Sequence, residues 1–208
     1  NAVWMCPCYK SPNCDNGYDV ADYRDIMDEF GTLEDIKALI SEMHNRGMKL
    51  IMDLVPNHTS DQHKWFQESR KSKDNPYSDY YYWYDEPINN WKSEFGGSAW
   101  AYDESRGQYY LHSYAVQQPD LNWENPELRE EVYKMMNWWL DKGLGGFRVD
   151  AIINIKKALP FCDYSTDGED RNDGMCKPDI MLEHAVGVHD FLQEMKREAF
   201  APYDAFTI

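Results

Sequence analysis

KLIMDLVPNHTS, residues 49–60, decides how this chain is read. Between Lys49 and Val55 the apolar side chains fill both alternating faces, as in a strand covered by helices on either side. The exception is Asp53, near the strand's C-terminal end, and His58 follows five residues later in a loop opened by Pro56. Just upstream, Thr32 and Asp35 form a capping-box pattern, Ile36, Leu39, Ile40 and Met43 fall on one helical face, and Gly47 stops the helix. Working outward, AVWMCP (2–7) reads as a short buried strand and CYKSPNCDNGYDVADY (8–23) as loop, on its Pro12, Asn13, Asn16 and Gly17. Downstream, Asn125 and Pro126 open a second helix with Val132, Met135, Met136 and Trp139 inward and Gly143 as its stop. GFRVDAI (146–152) is a strand, GVHDFLQEMKREAF (187–200) a third helix and AFTI (205–208) a fourth strand.

Strand and helix therefore alternate, the rhythm of parallel α/β structure, and the strands' C-terminal ends share one edge where chemistry belongs. Two intervals interrupt it. Residues 56–124 hold a short helix, HKWFQESRK (63–71), and then a turn-rich stretch: 13 of the 31 aromatic residues lie in 77–114, too dense for a solvated linker and expected as a small subdomain over the sheet edge. Residues 154–186 read as a loop rich in Asp and Gly.

A chain of 208 residues with 42% hydrophobic side chains can bury a sizeable core. Its formal charge of −16 argues against nucleic acid and anionic membrane as partners, because polyanions are repelled at long range, while a neutral ligand is indifferent to that field. No apolar run approaches the roughly 20 residues of a membrane helix, and NAVWMCPCYK (1–10) lacks the basic start and cleavage site of a signal peptide. Five cysteines, an odd number, read as thiols in a reducing, cytoplasmic setting, small buried side chains near a strand end. Their C-x-C-x5-C spacing is not that of a zinc knuckle, His58 and His63 have no third ligand nearby, and DGEDRNDG (167–174) puts Arg171 where an EF-hand needs an oxygen, so no metal is expected. Asn57-His58-Thr59 is formally a glycosylation sequon, read as unmodified.

In GFRVDAI, Arg148 and Asp150 stand two apart on a strand and project from one face, with Phe147 and Val149 on the other. An arginine so placed holds a carboxylate ionised and ready as a nucleophile, and a structural ion pair is the alternative.

DLVPNHTS (53–60) and GFRVDAI resemble the first and second signature regions of the α-amylase superfamily of glycoside hydrolases. QQPDLNW (117–123) is similar to the further marker of its oligo-1,6-glucosidase and α-glucosidase branch, and SPNCDNGYDVADY (11–23) to the loop after that branch's second barrel strand. The resemblance implies an α/β fold, a (β/α)8 TIM barrel with an aromatic-rich subdomain inserted after barrel strand three. This chain would hold strands two to five: strands two and three in 1–60, the subdomain in 61–124, and strands four and five in 125–208. The chain ends inside an apolar stretch, so it reads as cut; the resemblance puts the general acid/base glutamate two residues past Ile208 and a sugar-binding His-Asp pair after strand seven.

By the same resemblance Asp150 is the nucleophile and Arg148 its orienting partner. Asp15 and Tyr18 grip the non-reducing glucose, His58 binds its 6-hydroxyl, and Asp53 supports the site. Phe95, Tyr114 and Gln118 line the −1 and +1 subsites, core packing being the alternative for the two rings. The implied enzyme is a retaining, exo-acting α-glucosidase on short oligosaccharides, without cofactor; a calcium or magnesium ion belongs, if anywhere, to a loop after strand one. The residue after the nucleophile is often valine in α-1,6-specific relatives and threonine in α-1,4-specific ones. Ala151 departs from both and leans toward isomaltose-type or mixed specificity. A sucrose isomerase or trehalose-phosphate hydrolase, and in another class a non-catalytic relative such as an amino-acid transporter heavy chain, are the competing readings.

Overall fold

The structure, a computed structural model, describes residues 1–166 and 173–208. Its strands in chain order are β1 (Ala2–Met5), β2 (Tyr9–Lys10), β3 (Asp22–Ile26), β4 (Lys49–Leu54), β5 (Trp83–Tyr84), β6 (Trp100–Asp103), β7 (Gln108–Leu111), β8 (Gly146–Val149) and β9 (Phe206–Thr207). The helices are α1 (Leu33–Asn45), α2 (Lys64–Ser69), α3 (Pro126–Leu140), α4 (Pro178–His184) and α5 (Val188–Met195). β1, β4, β8 and β9 form one parallel sheet in that spatial order. Neighbours that follow chain order, each pair joined through a helix, make an arc of a (β/α) barrel; a doubly wound sheet would reverse its order.

Local chemistry explains the elements. The Thr32 side chain accepts from Asp35 N–H while the Asp35 carboxylate accepts from Thr32 N–H, so α1 starts on a complete capping box. Ile36, Ile40 and Met43 are buried, whereas Leu39, expected inward, is 39% exposed because the buried stripe of α1 is narrower than the pattern suggested. Asn125 caps α3 by accepting from Glu127 N–H, Pro126 occupies its first turn, and Val132, Met135, Met136 and Trp139 are buried as expected. Trp139 is fully buried with its indole N–H donating to Tyr23 O at 2.7 Å, and Trp123 does the same to Pro56 O at 2.7 Å. Buried indoles need such partners, and these two staple the helix layer and the loop after β4 to the core.

The aromatic interval divides between two cores. β5, β7 and β6 form a three-stranded antiparallel sheet in that order. Tyr80, Tyr81 and Tyr110 join the main core beneath it, while Tyr82, Trp91, Trp100 and Leu111 build a second core with Ala158, Cys176 and Met181. The segment after β8 thus helps to build the subdomain, and a bridge between Trp91 and Cys176 ties the two.

Several expectations need correction. Residues 8–23 are not all loop, since β2 pairs antiparallel with β3. The interval 154–186 contains α4, which Pro178 opens. The third helix is α5 followed by a π-helical turn at Lys196–Phe200 and a 3-10 turn at Ala201–Tyr203, where Pro202 interrupts it. β1 and β9, read as buried, carry exposed side chains, with Val3 47% and Phe206 46% exposed, because they are the edges of the sheet and each has a neighbour on one side alone. Cys8 and Cys176 are buried, but Cys6, Cys14 and Cys162 are exposed; all five are free thiols. The segment that carried the calcium question, with Arg171, lies for the most part outside the described residues. Among those described, no group of three or more His, Cys, Asp or Glu side chains gathers as a metal site, and no helix is long and apolar enough to cross a membrane.

Two features give testable consequences. Gly146 has φ 146°, and a Cβ there would come within 1.8 Å of Phe206 O, so β8 and β9 pair closely only because this position has no side chain. Gly146→Ala should therefore disrupt β9 pairing and lower folding stability by at least ~2 kcal/mol, read as a shift in the denaturant midpoint. His63 is buried, caps α2 by accepting from Trp65 N–H at 3.1 Å, and is pushed down to about 3 by burial. The unfolded chain then binds a proton that the folded one refuses, so stability is full above pH ~6.5 and is lost as pH falls toward the folded value. His63→Asn keeps a capping oxygen and removes the titration. Denaturant titrations at pH 4, 5 and 6 should show its acid limb shallower than wild type by up to about 1.4 kcal/mol per pH unit.

Candidate active site

β4 and β8 pair with Asp53 opposite Arg148, which sets two charged residues side by side at the C-terminal edge of the sheet. Arg148 Nη1 donates to Asp53 Oδ1 at 2.7 Å and to Asp150 Oδ1 at 2.5 Å. The strand itself ends at Val149, yet Asp150 N–H still donates to Leu54 O at 2.8 Å, so Asp150 keeps the strand's side-chain alternation and shares a side with Arg148. Ala151, with φ 45°, then turns the chain away. Asp53 is wholly buried, and Trp4 Nε1 donates to its second oxygen at 2.8 Å. Burial pushes the Asp53 carboxyl up from its ordinary range, against the opposing pull of the Arg148 and Trp4 hydrogen bonds. Burial pulls the Arg148 guanidinium down, but Asp53 and Asp150 outweigh it and leave the group above its ordinary value, a permanent cation.

Above this pair opens a cavity of about 270 Å³ bounded by Asp15, Tyr18, His58, Phe95, Tyr114, Asp150 and Ala151. Six of the nine residues singled out in the sequence meet there, from the β2–β3 loop, the loops after β4 and β8, and the subdomain. The other three support it: Arg148 and Asp53 behind Asp150, and Gln118, fully buried, donating from Nε2 to Asp15 Oδ2 at 2.9 Å. Phe95 is 63% exposed and meets Tyr114 edge-on at 5.8 Å, so neither core packing nor a buried cluster accounts for its ring. Tyr114 also lies 5.3 Å from the His58 ring. A larger cavity of about 710 Å³ lies between α5 and β9, but its lining is mostly apolar and includes none of Asp53, Arg148 and Asp150.

Sequence reasoning missed the layer beneath His58. Lys157 is fully buried, and its ammonium donates to Asn57 Oδ1 at 2.8 Å and Asn154 O at 2.5 Å while pairing with the equally buried Asp120 at 2.8 Å. Asp120 also accepts from Asn57 Nδ2, Ser113 N–H and Ser113 Oγ. With Asn57 Oδ1 committed to Lys157, its Nδ2 faces His58 Nδ1 at 3.2 Å, while His58 Nε2 lies 3.2 Å from Tyr18 O and 3.1 Å from Gln118 Nε2. Burial pushes His58 down, against the Asp120 and Asp150 charges, so a neutral ring with a neighbour at each nitrogen faces the cavity. Asp120 stood inside the QQPDLNW marker and gave a usable signal; Lys157 belongs to no motif and gave none.

The family described as alpha amylase, catalytic domain, matches residues 1–208. The oligo-1,6-glucosidase of Parageobacillus thermoglucosidasius is 56% identical over all of this chain and 37% of its own length. The trehalose-6-phosphate hydrolase of Bacillus subtilis (strain 168) is 47% identical over all of this chain and 36% of its own. Among solved structures, the trehalulose synthase MutB of Pseudomonas mesoacidophila MX-45 superposes with TM-score 0.89 at 47% identity, covering all of this chain and 37% of that one. The chain thus spans a little over a third of the length of these relatives. Matched over its whole length by sequence and by fold, and with the acid–arginine pair at the C-terminal edge of its barrel arc, this chain belongs to the α-amylase catalytic-domain family.

Proposed function

We propose that the chain carries the nucleophile side of a retaining, exo-acting α-glucosidase site for short gluco-oligosaccharides. The observation that carries this reading is Asp150, ionically held by Arg148 at the end of β8 and opening on a cavity that also presents Asp15 and the Phe95 and Tyr114 rings. Asp150 attacks the anomeric carbon, the glycosidic C–O bond breaks, and the departing oxygen takes a proton from a general acid; water then cleaves the glucosyl ester, with the same group acting as base. Retaining chemistry needs that second carboxyl about 5 Å from the nucleophile. Asp53 is sealed behind Arg148 and Trp4 and Asp15 is read as a sugar ligand, and the family resemblance implies that the general acid stands in a part of the fold that the longer relatives have and this sequence does not cover.

Asp15 and Tyr18 then close one end of the site on a terminal glucose, which makes the enzyme exo-acting, and the neutral His58 ring lines the wall that this glucose meets. Phe95, exposed at the rim, stacks on the next sugar. Ala151 lines the cavity with a small side chain, which favours α-1,6 or mixed linkage. The same observation admits a second reading, since relatives named as a trehalose-6-phosphate hydrolase and a trehalulose synthase stand at 47% identity. Five free thiols fit a cytoplasmic location. We divide the chain into barrel segments 1–60 and 125–208 around an inserted subdomain at 61–124, with the second core borrowing Ala158, Cys176 and Met181.

In the protein completed to the length of its relatives, Asp150→Ala should lower turnover of p-nitrophenyl α-glucoside by more than 10³-fold with sugar binding retained. Azide should restore part of the activity and yield the inverted glucosyl azide, because it occupies the space of the missing carboxylate. A variant retaining a tenth of wild-type turnover would remove Asp150 from the nucleophile role. Product analysis on isomaltose, maltose, sucrose and trehalose 6-phosphate separates the readings: glucose from isomaltose supports the first, isomerised sucrose or preference for the phosphorylated disaccharide the second.

A further inference from the structure

Asp19 is wholly buried and does not line the cavity. Among the described residues no lysine or arginine pairs with it, so its charge is met by hydrogen-bond donors alone. Oδ1 accepts from Ser11 Oγ at 3.0 Å and from Asp15 N–H at 3.0 Å, and Oδ2 accepts from Cys14 N–H at 3.0 Å. Every one of these donors belongs to the loop between β2 and β3, the loop that presents Asp15 and Tyr18.

That loop turns back on itself through left-handed residues. Asn13, Asn16 and Gly17 have φ of 63°, 49° and 88°, and a Cβ at Gly17 would meet Pro7 O at 2.9 Å. Asn and Gly tolerate that conformation, and hydrogen bonds then fix which way the loop folds. Within the loop Tyr18 N–H donates to Asp15 O at 2.8 Å and Asn13 N–H to Ser11 Oγ at 2.9 Å. Two further anchors hold Asp15: Gln118, from outside the loop, its carboxylate, and Asp19, near the loop's C-terminal end, its backbone N–H. A carboxylate that grips a sugar has to be fixed at both ends, because an ångström of slack forfeits the aligned hydrogen bonds.

We propose that Asp19 is a positioning residue: its buried carboxylate gathers Ser11 Oγ and the Cys14 and Asp15 N–H groups, and so fixes Asp15 in the orientation that grips the terminal sugar. The proposal rests on the reading of Asp15 as a sugar ligand. Asp19 touches no sugar itself and acts through Asp15. Replacing it with asparagine puts an NH2 where at least one donor must be accepted, leaving a loop N–H without its partner and loosening the loop.

The test is a double-mutant cycle in the protein completed to the length of its relatives, read as kcat and KM on isomaltose, with backbone amide exchange at Cys14 and Asp15 followed alongside. Asp15→Ala removes charge-assisted hydrogen bonds and should lower kcat/KM by about 10- to 100-fold. Asp19→Asn should lower it in the same direction, mainly through KM, and the double variant should be no worse than Asp15→Ala alone, since Asp19 has nothing left to position. Exchange at Cys14 and Asp15 should be slow in wild type and fast in Asp19→Asn, while Asp15→Ala leaves Cys14 protected. Ser11→Ala, which keeps the buried carboxylate and removes one donor, should show a smaller kinetic loss that also vanishes in the Asp15→Ala background, and it serves where Asp19→Asn folds poorly. An additive cycle, wild-type kinetics in Asp19→Asn, or unchanged exchange would overturn the proposal and leave Asp15's role standing. Wild-type kcat/KM in Asp15→Ala would overturn the grip reading and the proposal together.

Discussion

One guanidinium between two carboxylates organises this molecule. Asp53 and Asp150 come from neighbouring strands and would repel at the sheet edge; Arg148, opposite Asp53 in the β4–β8 register, reaches both from a single nitrogen. The arrangement is asymmetric in its consequences. Asp53 is wholly buried and gains a second donor from Trp4, so its oxygens are occupied and it serves as ballast for the cation. Asp150 keeps one oxygen outside the pair and faces the cavity. A shift of one residue in the β4–β8 register would turn Arg148, and Asp150 with it, to the other face of the sheet and leave the buried Asp53 uncompensated. The parallel register and the charge pair therefore specify one another.

Behind the cavity wall the same logic appears without solvent. The pair of Lys157 and Asp120 is fully buried, and such a pair is tolerable because each remaining donor and acceptor finds a partner in Asn57, Asn154 or Ser113. Its yield is orientation more than stability. Asn57 is locked by Lys157, His58 by Asn57, and Gln118 spans from the His58 edge to Asp15. The excursion between β4 and β8 is what makes this possible. Its return through residues 112–123 lays Ser113, Gln118 and Asp120 against the loop after β4, bridged at His58 and Asp120.

The elements legible in the sequence were those whose signals are local. The α1 capping box, the N-cap and proline of α3, and the doubly apolar β4 each rest on residues within one turn or one strand, and each formed where its pattern stood. The elements misread depend on neighbours. β2 and β3 are short, rich in turn formers, and exist because they pair with each other. The exposure of β1 and β9 follows from their place at the sheet edges, which hydrophobicity does not encode. α4 lies in a segment whose Asp and Gly content masked a proline-initiated helix, and its Met181 is buried in a core built largely by the distant aromatic interval.

The sequence by itself determined the alternation of strand and helix, the pairing of Arg148 with Asp150 on one side of a strand, and, through motif resemblance, the nine residues that gather about the cavity. Those facts depend on the period of two along a strand and on short ordered motifs, both readable along the chain. Tertiary structure alone decided the rest. Lys157 and Asp120 lie 37 positions apart and Asp53 and Arg148 lie 95 apart, and a charge has no preferred partner until folding removes it from water and brings it within hydrogen-bond reach. Asp19 shows the boundary most plainly. Its donors sit four to eight residues away, close enough to be local, yet only the left-handed turns at Asn13, Asn16 and Gly17 fold that stretch back so that one buried carboxylate can gather them.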